Sequence, residues 1–175
     1  MKIGLFYGST TCYTEIIAEK IQAEITNYAV EIHNIKDVPL NSCLAYDILI
    51  FGISTWDYGE LQEDWESHWH EIAELDLSEK IVALYGLGDQ IGYTEWFQDA
   101  LGMLHEQVLS VDACVIGYWP NEGYEFAASK ALSADKKYFV GLSLDEDNQY
   151  QLTDERIAKW TTQIQYELEE IFTDE

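Results

Sequence analysis

A short hydroxyl-rich stretch near the N-terminus, Gly8-Ser9-Thr10-Thr11-Cys12-Tyr13-Thr14-Glu15, has the residue types needed to hold a phosphate. It follows an apolar run and opens a helical pattern. The free backbone N–H groups at a helix start would therefore join the hydroxyls of Ser9, Thr10, Thr11 and Thr14, and no lysine or arginine is needed. The G-x-x-x-x-G-K-[ST] pattern is absent, so nucleotide hydrolysis is not predicted. The alternative interpretation is an ordinary turn between a strand and a helix.

Aromatic residues in two later loops could hold a flat ring. Trp56 and Tyr58 lie in the stretch STWDYGELQEDW, and Tyr93 lies in GLGDQIGYTEW, in each case outside any apolar helical stripe. Aromatic side chains that face one gap from two loops can sandwich a ring, and each contact is worth about 0.5–1.5 kcal/mol beyond burial. The alternative is that they pack on loop backbone or face solvent. Together with the hydroxyl-rich loop, the pair Trp56 and Tyr93 favours a flat ring that carries a phosphate.

The elements that position these loops follow from the hydrophobic pattern. Near-continuous apolar runs at 2–7, 30–35, 47–53, 81–87 and 113–118 predict strands buried on both faces of a parallel sheet, and helical periodicity separates them. The pattern predicts five β-α units in a doubly wound α/β domain. Trp65 belongs to an apolar helical stripe and is assigned to the core. In such a sheet ligands bind at the carboxyl ends of the strands, so the three loops above should meet there.

The fifth strand departs from simple alternation. After Trp119 the chain reads PNEGYEFAASKALSADKK, and a second apolar run, YFVGLSL, follows from Tyr138. This indicates a strand interrupted by an insertion at about residues 119–137. The sequence does not indicate what the insertion does.

The charge of the chain limits its partners. The 175 residues include 33 acidic and nine basic residues, for a net charge of −24. Phosphates of nucleic acids and anionic membranes would be repelled, so neither is a predicted partner, whereas basic protein surfaces are favoured. No apolar run approaches the length of a membrane span, and no signal pattern follows the first strand. We expect one domain over residues 1–175, in the cytoplasm, as a monomer.

No metal or disulfide site is predicted. The three cysteines are widely spaced and form no C-x-x-C. His68 and His70 are two apart on a predicted helix and point in different directions. The acidic run Asp145-Glu146-Asp147 lacks the EF-hand spacing, and a solvated loop that faces a partner is the favoured interpretation.

Six stretches, taken together, resemble the flavodoxins of the long-chain class over nearly the whole chain, and most closely the bacterial flavodoxin B group. They are GLFYGSTTCYTE, STWDYGELQEDW, ALYGLGDQIGYTEWFQDALG, GYWPNEGYEF, FVGLSLDEDNQ and LTDERIAKW. The resemblance implies a five-stranded parallel sheet of order 2-1-3-4-5 with an insertion in strand five. It also implies non-covalent FMN and one-electron transfer. The implied partners are basic surfaces of an NADPH-dependent flavodoxin or ferredoxin reductase and of acceptor redox enzymes.

The resemblance also assigns roles to residues by position. The phosphate loop would consist of Ser9, Thr10, Thr11, Cys12, Tyr13 and Thr14, with Thr55 as a further phosphate contact. Trp56 and Tyr93 would stack on the ring, and Asp57 and Tyr58 would bracket the peptide beside flavin N5. The pyrimidine edge would be followed by Gly88, Asp89 and Gln90. The predicted cofactor-binding set also includes Ser54, Gly59 and Leu87, and no catalytic or metal-binding residue.

Two positions depart from what the backbone would prefer. Flavodoxins commonly have T-G-x-T in the phosphate loop, and Cys12 replaces the glycine. A small thiol is tolerated there if the dihedrals are ordinary. We expect such a tolerated side chain rather than a redox-sensitive thiol, because a bound phosphate would disfavour the thiolate. The resemblance also implies that the Asp57–Tyr58 peptide turns its carbonyl toward N5 when the flavin is reduced. This flip tends to require a positive φ, and without glycine it costs about 1 kcal/mol.

Three other functions remain as alternatives. A flavodoxin-like NAD(P)H:quinone oxidoreductase would need nicotinamide binding, for which no motif is present. A signalling receiver would need an acidic pair after the first strand, where Ser9 and Thr10 stand. A dedicated flavin activator of one enzyme is not separable from a general carrier by sequence.

Overall fold

The computed structural model describes residues 1–174 of the chain. Its strands are β1 (Lys2–Tyr7), β2 (Ala29–Asn34), β3 (Ile48–Trp56), β4 (Glu60–Leu61), β5 (Ile81–Leu87), β6 (Cys114–Ile116), β7 (Trp119–Pro120), β8 (Tyr138–Phe139) and β9 (Leu142–Leu144). Its α-helices are α1 (Tyr13–Glu24), α2 (Glu63–Ile72), α3 (Asp99–Ser110) and α4 (Thr153–Thr173). Two short 3-10 helices lie at Leu40–Ala45 and Tyr150–Leu152.

The main sheet is parallel and has the order β2-β1-β3-β5-β6, which confirms the predicted order 2-1-3-4-5. The predicted interruption of the fifth strand is also present, because β6 pairs with residues 81–83 of β5 and β9 with residues 85–87. Between these two half-strands the chain leaves the sheet and forms the antiparallel pair β7-β8. The interruption therefore runs from residue 117 to residue 141, slightly wider than predicted.

Helices cover both faces of the sheet, as the alternation along β5 shows. The Tyr85 hydroxyl donates to the Thr14 carbonyl of α1 at 2.9 Å, and α1 packs against α4 on that face. At the next residue, Gly86, an added Cβ would meet Leu101 of α3 at 3.1 Å on the opposite face. Every residue of β5 is buried, which is why its sequence is apolar without alternation.

One part of the predicted alternation is wrong. Five β-α units were expected, but the connection from β2 to β3 contains only the 3-10 helix Leu40–Ala45. Pro39 precedes this helix in an extended conformation, and only Leu40 and Cys43 of its residues are buried, so no longer apolar stripe is available for a full α-helix. No helix within residues 1–174 is both long and apolar enough to cross a membrane.

Candidate functional site

A cavity of about 240 Å³ lies at the carboxyl ends of the central strands. It is bounded by the loops after β1, β3, β5 and β9, so the three predicted loops do meet at one sheet edge. Eleven of the predicted residues line it: Thr11, Tyr13, Thr14, Ser54, Thr55, Trp56, Asp57, Leu87, Gly88, Asp89 and Tyr93. Two unpredicted residues, Glu146 and Asp147, complete the lining.

The loop after β1 presents hydrogen-bond donors at the start of α1. The first bond of the helix runs from the Ile16 N–H to the Cys12 carbonyl at 3.0 Å, so the preceding N–H groups have no partner within the helix. The Ser9 hydroxyl oxygen is buried and has no hydrogen-bond partner among the described residues. A buried polar group without a partner is costly. This loop therefore has the donors of an anion site.

A glutamine that the sequence did not single out supports this loop. The Gln62 side chain is fully buried and donates from Nε2 to the Thr10 hydroxyl oxygen at 3.2 Å, which leaves the Thr10 hydrogen free to donate elsewhere. Its Oε1 accepts from the N–H groups of Asp64 and Trp65, so Gln62 also caps α2. Gly8 makes room for this contact, since a Cβ there would lie 2.2 Å from Gln62 Oε1.

Cys12 does not have the ordinary dihedrals that were the condition for tolerating a side chain there. It adopts φ +68° and ψ −6°, the left-handed conformation that glycine adopts without strain. The thiol is exposed and caps no N–H of α1. The backbone thus has a glycine-like conformation at this position. The steric strain arises because Cys12, unlike glycine, has a Cβ.

Two aromatic side chains form walls of the cavity. Trp56 and Tyr93 both line it, and the buried indole Nε1 of Trp56 has no partner within residues 1–174. The Tyr93 hydroxyl lies 3.4 Å from the Asp57 carboxylate, whose charge raises the pKa of Tyr93. Tyr58 is exposed and packs edge-on against Tyr93 and Trp96 instead of lining the cavity. Trp65 is fully buried in the core, as expected, and donates to the Gly52 carbonyl at 2.7 Å.

The turn after β3 contains two residues with positive φ. Asp57 has φ +44° and Gly59 has φ +85°, and the turn is closed by the pair Trp56 and Glu60. At Gly59 an added Cβ would lie 2.8 Å from Asp99 Oδ2, so the turn rests directly on this buried carboxylate. Asp57 therefore already carries the strain in this conformation of the turn.

Some residues of the loop after β5 line the cavity, and others are buried in the interior. Gly88 and Asp89 line the cavity, but Gln90 is 2% exposed and does not. The Gln90 side chain donates from Nε2 to Asp145 at 2.8 Å and accepts at Oε1 from the Glu125 N–H at 2.6 Å. Of the predicted set, Ser9, Thr10, Cys12, Tyr58 and Gly59 likewise do not appear in the lining, although Ser9 and Thr10 adjoin it through the loop.

The acidic run after β9 contributes to the site, and the prediction of a solvated loop is wrong for Asp145, whereas Asp147 is exposed as expected. Asp145 is fully buried and accepts hydrogen bonds from Gln90 and Asn148. Asp147 lines the cavity, and its pKa is raised by burial and then by the charges of Asp89 and Asp145. Glu146 also lines it and accepts from the Thr153 hydroxyl. The acidic run follows the second half of the fifth strand and so lies at the carboxyl edge of the sheet. This position was the sequence signal that could have identified the run as part of the site.

The cavity therefore has two chemically distinct ends. The aromatic end carries the carboxylates of Asp57, which lies beside the Tyr93 hydroxyl, and of Asp89, which lies in the same loop as Tyr93. Glu146 and Asp147 also line the cavity, and no lysine or arginine of the described residues does. The other end carries hydroxyls and free N–H groups at a helix N-terminus, where negative charge is favoured. This arrangement suits a planar ring joined to a phosphate. The fold and the site together define a doubly wound α/β protein with a mononucleotide-type site at the switch in strand order.

Comparison with known proteins gives this class a family. The family described as Flavodoxin matches residues 5–160. The chain is 56% identical over 170 residues to Flavodoxin 2 of Escherichia coli, covering 97% of this chain and 98% of the relative. It is 47% identical over 166 residues to a flavodoxin of Nostoc sp., covering 95% and 96%. The chain belongs to the flavodoxin family.

A solved structure agrees with this assignment. The structure of a Fusobacterium nucleatum flavodoxin bound to flavin mononucleotide has a TM-score of 0.89 and 30% identity, covering 95% of this chain and 98% of that one. Flavodoxins are FMN proteins that carry electrons and do not convert a substrate of their own, and this chain is such a carrier. The matches lend no support to a quinone reductase or to a dedicated activator.

Proposed function

We propose that the cavity holds FMN with the phosphate in the loop 9–14 and the isoalloxazine ring between Trp56 and Tyr93. The observation that carries this proposal is a pair of buried polar groups without a hydrogen-bond partner among the described residues: the Trp56 indole N–H in the cavity wall and the Ser9 hydroxyl in the adjoining loop. Each would gain an acceptor from a bound phosphate or ribityl chain. An unpaired buried group typically costs about 1–3 kcal/mol, so such an arrangement is stable mainly when a ligand completes it.

The phosphate would be held by neutral donors. Ser9 supplies a buried hydroxyl, Thr10 has a free hydrogen because its oxygen already accepts from Gln62, and α1 supplies N–H groups. Thr14 is buried at the cavity wall. Thr55 is placed similarly, since its hydroxyl oxygen accepts from the Ala100 N–H at 3.0 Å and its hydrogen can point into the cavity. Neutral donors add no positive charge, so the electrostatic potential around the ring stays negative.

The ring would be held by stacking and by the loops at its edges. Trp56 and Tyr93 supply the aromatic faces, and the turn at Asp57 and Tyr58 supplies backbone groups beside N5. The Gly88 and Asp89 backbone would follow the pyrimidine edge, with Ser54, Gly59 and Leu87 filling the space around them. We assign Gln90 an indirect role, because its side chain is bound to Asp145 inside the protein. Cys12 and Tyr13 contribute backbone N–H groups at the helix start.

FMN, when bound, supplies one-electron transfer, and the protein tunes it. The carboxylates of Asp57, Asp89, Glu146 and Asp147 line the cavity and disfavour the addition of further negative charge. They would therefore lower the reduction potential, as a donor of low-potential electrons requires. Stacking on both faces excludes water from the ring and strengthens these electrostatic effects.

The surface charge suggests the partners. A net charge of −24 favours docking on basic surfaces, namely those of an NADPH-dependent flavodoxin or ferredoxin reductase and of acceptor redox enzymes. Nucleic acids and membranes remain unfavourable partners for the same reason. We further propose that the chain acts as a single domain over residues 1–175, as a monomer in the cytoplasm.

The test is a titration of the FMN-free protein with FMN and with riboflavin, followed by quenching of flavin fluorescence. Ser9→Ala removes the buried hydroxyl and should weaken FMN binding by about 1–3 kcal/mol while leaving riboflavin binding unchanged. Because the hydroxyl makes no hydrogen bond to any described residue, the same substitution should not lower the stability of the FMN-free form. Trp56→Ala should weaken the binding of both FMN and riboflavin.

Equal losses of FMN and riboflavin affinity in Ser9→Ala would show that the loop 9–14 does not bind the phosphate. A wild-type protein that binds neither ligand would refute the proposed function as a whole.

A further inference from the structure

A second cavity, of about 300 Å³, lies between the interruption of the fifth strand and α4. Its lining comes from β7 and the chain just after it, and from the first half of α4 and the residue before it. It shares no lining residue with the cavity at the carboxyl edge of the sheet, among the residues described. Its volume is at the lower end of the range for small-molecule sites. We call it the Arg156 pocket, after the arginine in its wall.

Arg156 is a buried cation without a counter-ion. It is 7% exposed, and no carboxylate within residues 1–174 forms an ion pair with it. Its two hydrogen bonds run to neutral oxygens, to Gln149 Oε1 at 2.8 Å and to the Gly123 carbonyl at 3.5 Å. Buried charges are normally paired, because removing a charge from water is costly. An unpaired one is unusual in a chain with 33 acidic residues.

The Arg156 guanidinium is held in place and still has donors free. Its central carbon lies 4.2 Å from the centroid of the Tyr124 ring, which covers one face of the group. Its acceptor Gln149 is itself fixed, because Nε2 of that side chain donates to the Gly123 carbonyl at 2.8 Å. A guanidinium has several N–H donors in one plane, and Arg156 uses two of them within the described residues. The others suit the two oxygens of a carboxylate, which accept side by side.

The other charges of the Arg156 pocket do not oppose an anion. Lys159 and Glu155 pair at 2.8 Å, and the pKa of Glu155 is lowered, first by its hydrogen bond to Lys159. Glu122 is the other carboxylate of the lining, and it is exposed to solvent. The lining therefore carries two cations and two carboxylates, whereas the first cavity has four carboxylates and no cation among the described residues. More distant negative charges are screened beyond about 8–10 Å.

The rest of the wall favours a ligand with an apolar body. The apolar part of the lining consists of Trp119, Pro120 and Leu152. The indole N–H of Trp119 and both side-chain N–H groups of Gln163 already have acceptors within the protein. Apart from the paired Lys159, Arg156 is therefore the one described side chain of the lining with donors free for a ligand.

We propose that the Arg156 pocket binds a small carboxylate with an apolar body, about the size of a single ring. The carboxylate accepts from the free N–H groups of Arg156 and supplies the missing counter-ion, and the body packs on Trp119 and Leu152. A phosphate is disfavoured, because it needs more donors than one guanidinium provides and gains nothing from an apolar wall. The site is separate from the proposed FMN site and does not depend on it.

The test is a titration of the oxidised, FMN-loaded protein with benzoate, followed by NMR at the Trp119 indole N–H and the Arg156 backbone N–H. Saturable shifts should give a dissociation constant of about 1 mM, as expected for a ligand of this size. Benzamide has the same shape without the charge and should bind at least about tenfold more weakly, as should inorganic phosphate. The FMN-free protein should give the same result.

Two variants and a matched control show which group holds the carboxylate. Arg156→Gln removes the charge and should raise the dissociation constant of benzoate beyond about 10 mM. Arg156→Lys keeps the charge but loses the planar set of donors, and should weaken benzoate binding about fivefold. Lys137→Gln removes a cation from an exposed position outside the lining and should leave benzoate binding unchanged. If Arg156→Gln does not fold, Arg156→Lys and the comparison of benzoate with benzamide in the wild type decide the matter.

Several results would overturn the proposal. Equal affinities for benzoate and benzamide, or no saturable shift with benzoate, would show that Arg156 only holds Gln149 and Tyr124 in place. Equal affinities for benzoate and phosphate would show a general anion site without a preference for carboxylates. Shifts confined to Trp56 and Tyr93 would place benzoate in the first cavity instead. Equal effects of Arg156→Gln and Lys137→Gln would show that only the overall charge matters.

Discussion

Cys12 adopts a left-handed backbone conformation that is usually found at glycine. A left-handed conformation costs a non-glycine residue about 1–2 kcal/mol, while glycine loses about 0.5–1 kcal/mol through its freer unfolded chain. Cys12→Gly should therefore leave the FMN-free protein equally stable or up to about 1 kcal/mol more stable, as measured by urea denaturation. Cys12→Ala keeps the Cβ and is the control, for which no gain is expected. A clear loss of stability in Cys12→Gly would mean that the thiol makes a contact that favours the folded state.

Asp147 should make the flavin potential depend on pH. Its pKa is raised by burial and by the charges of Asp89 and Asp145, so the folded protein holds this proton to higher pH than the unfolded chain does. The fold therefore gains stability as the pH falls through this pKa, and the potential rises as the charge disappears. Near neutral pH, Asp147→Asn should raise the first-electron potential. A charge about 10 Å from the ring corresponds to roughly 70 mV at an effective dielectric of 20.

The difference in first-electron potential between Asp147→Asn and the wild type should shrink as the pH falls through the pKa of Asp147. This pKa is raised above the usual carboxyl range near 4. Redox titrations at a series of pH values measure this directly. Asp76→Asn is the control, because Asp76 precedes β5 and lies at the opposite edge of the sheet. A difference that stays constant down to acidic pH would show that Asp147 does not titrate in this range.

At the scale of elements, a single side chain, that of Gln62, is hydrogen-bonded both to the start of α2 and to the phosphate loop. Gln62 caps α2 and holds Thr10, so Gln62→Ala should lower the free energy of unfolding by about 1–2 kcal/mol. FMN affinity should fall as well, because the Thr10 hydroxyl loses the partner that orients it. Urea denaturation and fluorescence titration measure the two effects. Ser67→Ala, in the exposed middle of α2, is the control and should change neither. A loss of affinity without a loss of stability would place Gln62 in direct contact with the ligand.

The sequence predicted the elements better than the contacts between them. Strands β1 and β5 match their predicted bounds because long apolar runs determine them, and the loops after β1, β3 and β5 met as the sheet order required. Asp145 could not be predicted, because an acid in an acidic run is usually solvated. Its burial depends on donors from Gln90 and Asn148 that only the folded chain brings together.

The residue-level assignments taken from the family show the same limit. The sequence places Gln90 and Tyr58 in loops that meet at the cavity, but it does not indicate that the Gln90 side chain turns to the interior and the Tyr58 side chain to the surface. Gln62 was missed because a capping glutamine has no periodic signal. The conformation of Cys12 was missed because a cysteine gives no indication of positive φ.

For the whole molecule, the negative charge should give electron transfer a salt dependence whose sign depends on the donor. Reduction by a basic reductase should slow as ionic strength rises, because exposed charges are screened beyond about 8–10 Å. Reduction by dithionite, an anion, should accelerate under the same conditions, since screening weakens the repulsion. Stopped-flow rates for both donors over a range of salt concentrations provide the measurement. Rates that change in the same direction would show that the surface charge does not direct docking.

The division of the fifth strand into β6 and β9 also has a consequence for the order of folding. β6 can pair with β5 soon after α3 forms, but β9 must wait until the chain from Ile116 to Leu142 has returned to the sheet. Closing a loop of this length costs about 3 kcal/mol in chain entropy. We therefore expect β9 to form late and to open early, and the cavity-lining residues Glu146 and Asp147 that follow it would become ordered and open with it. In this protein the cofactor pocket would then be completed only when the last segment of the sheet is in place.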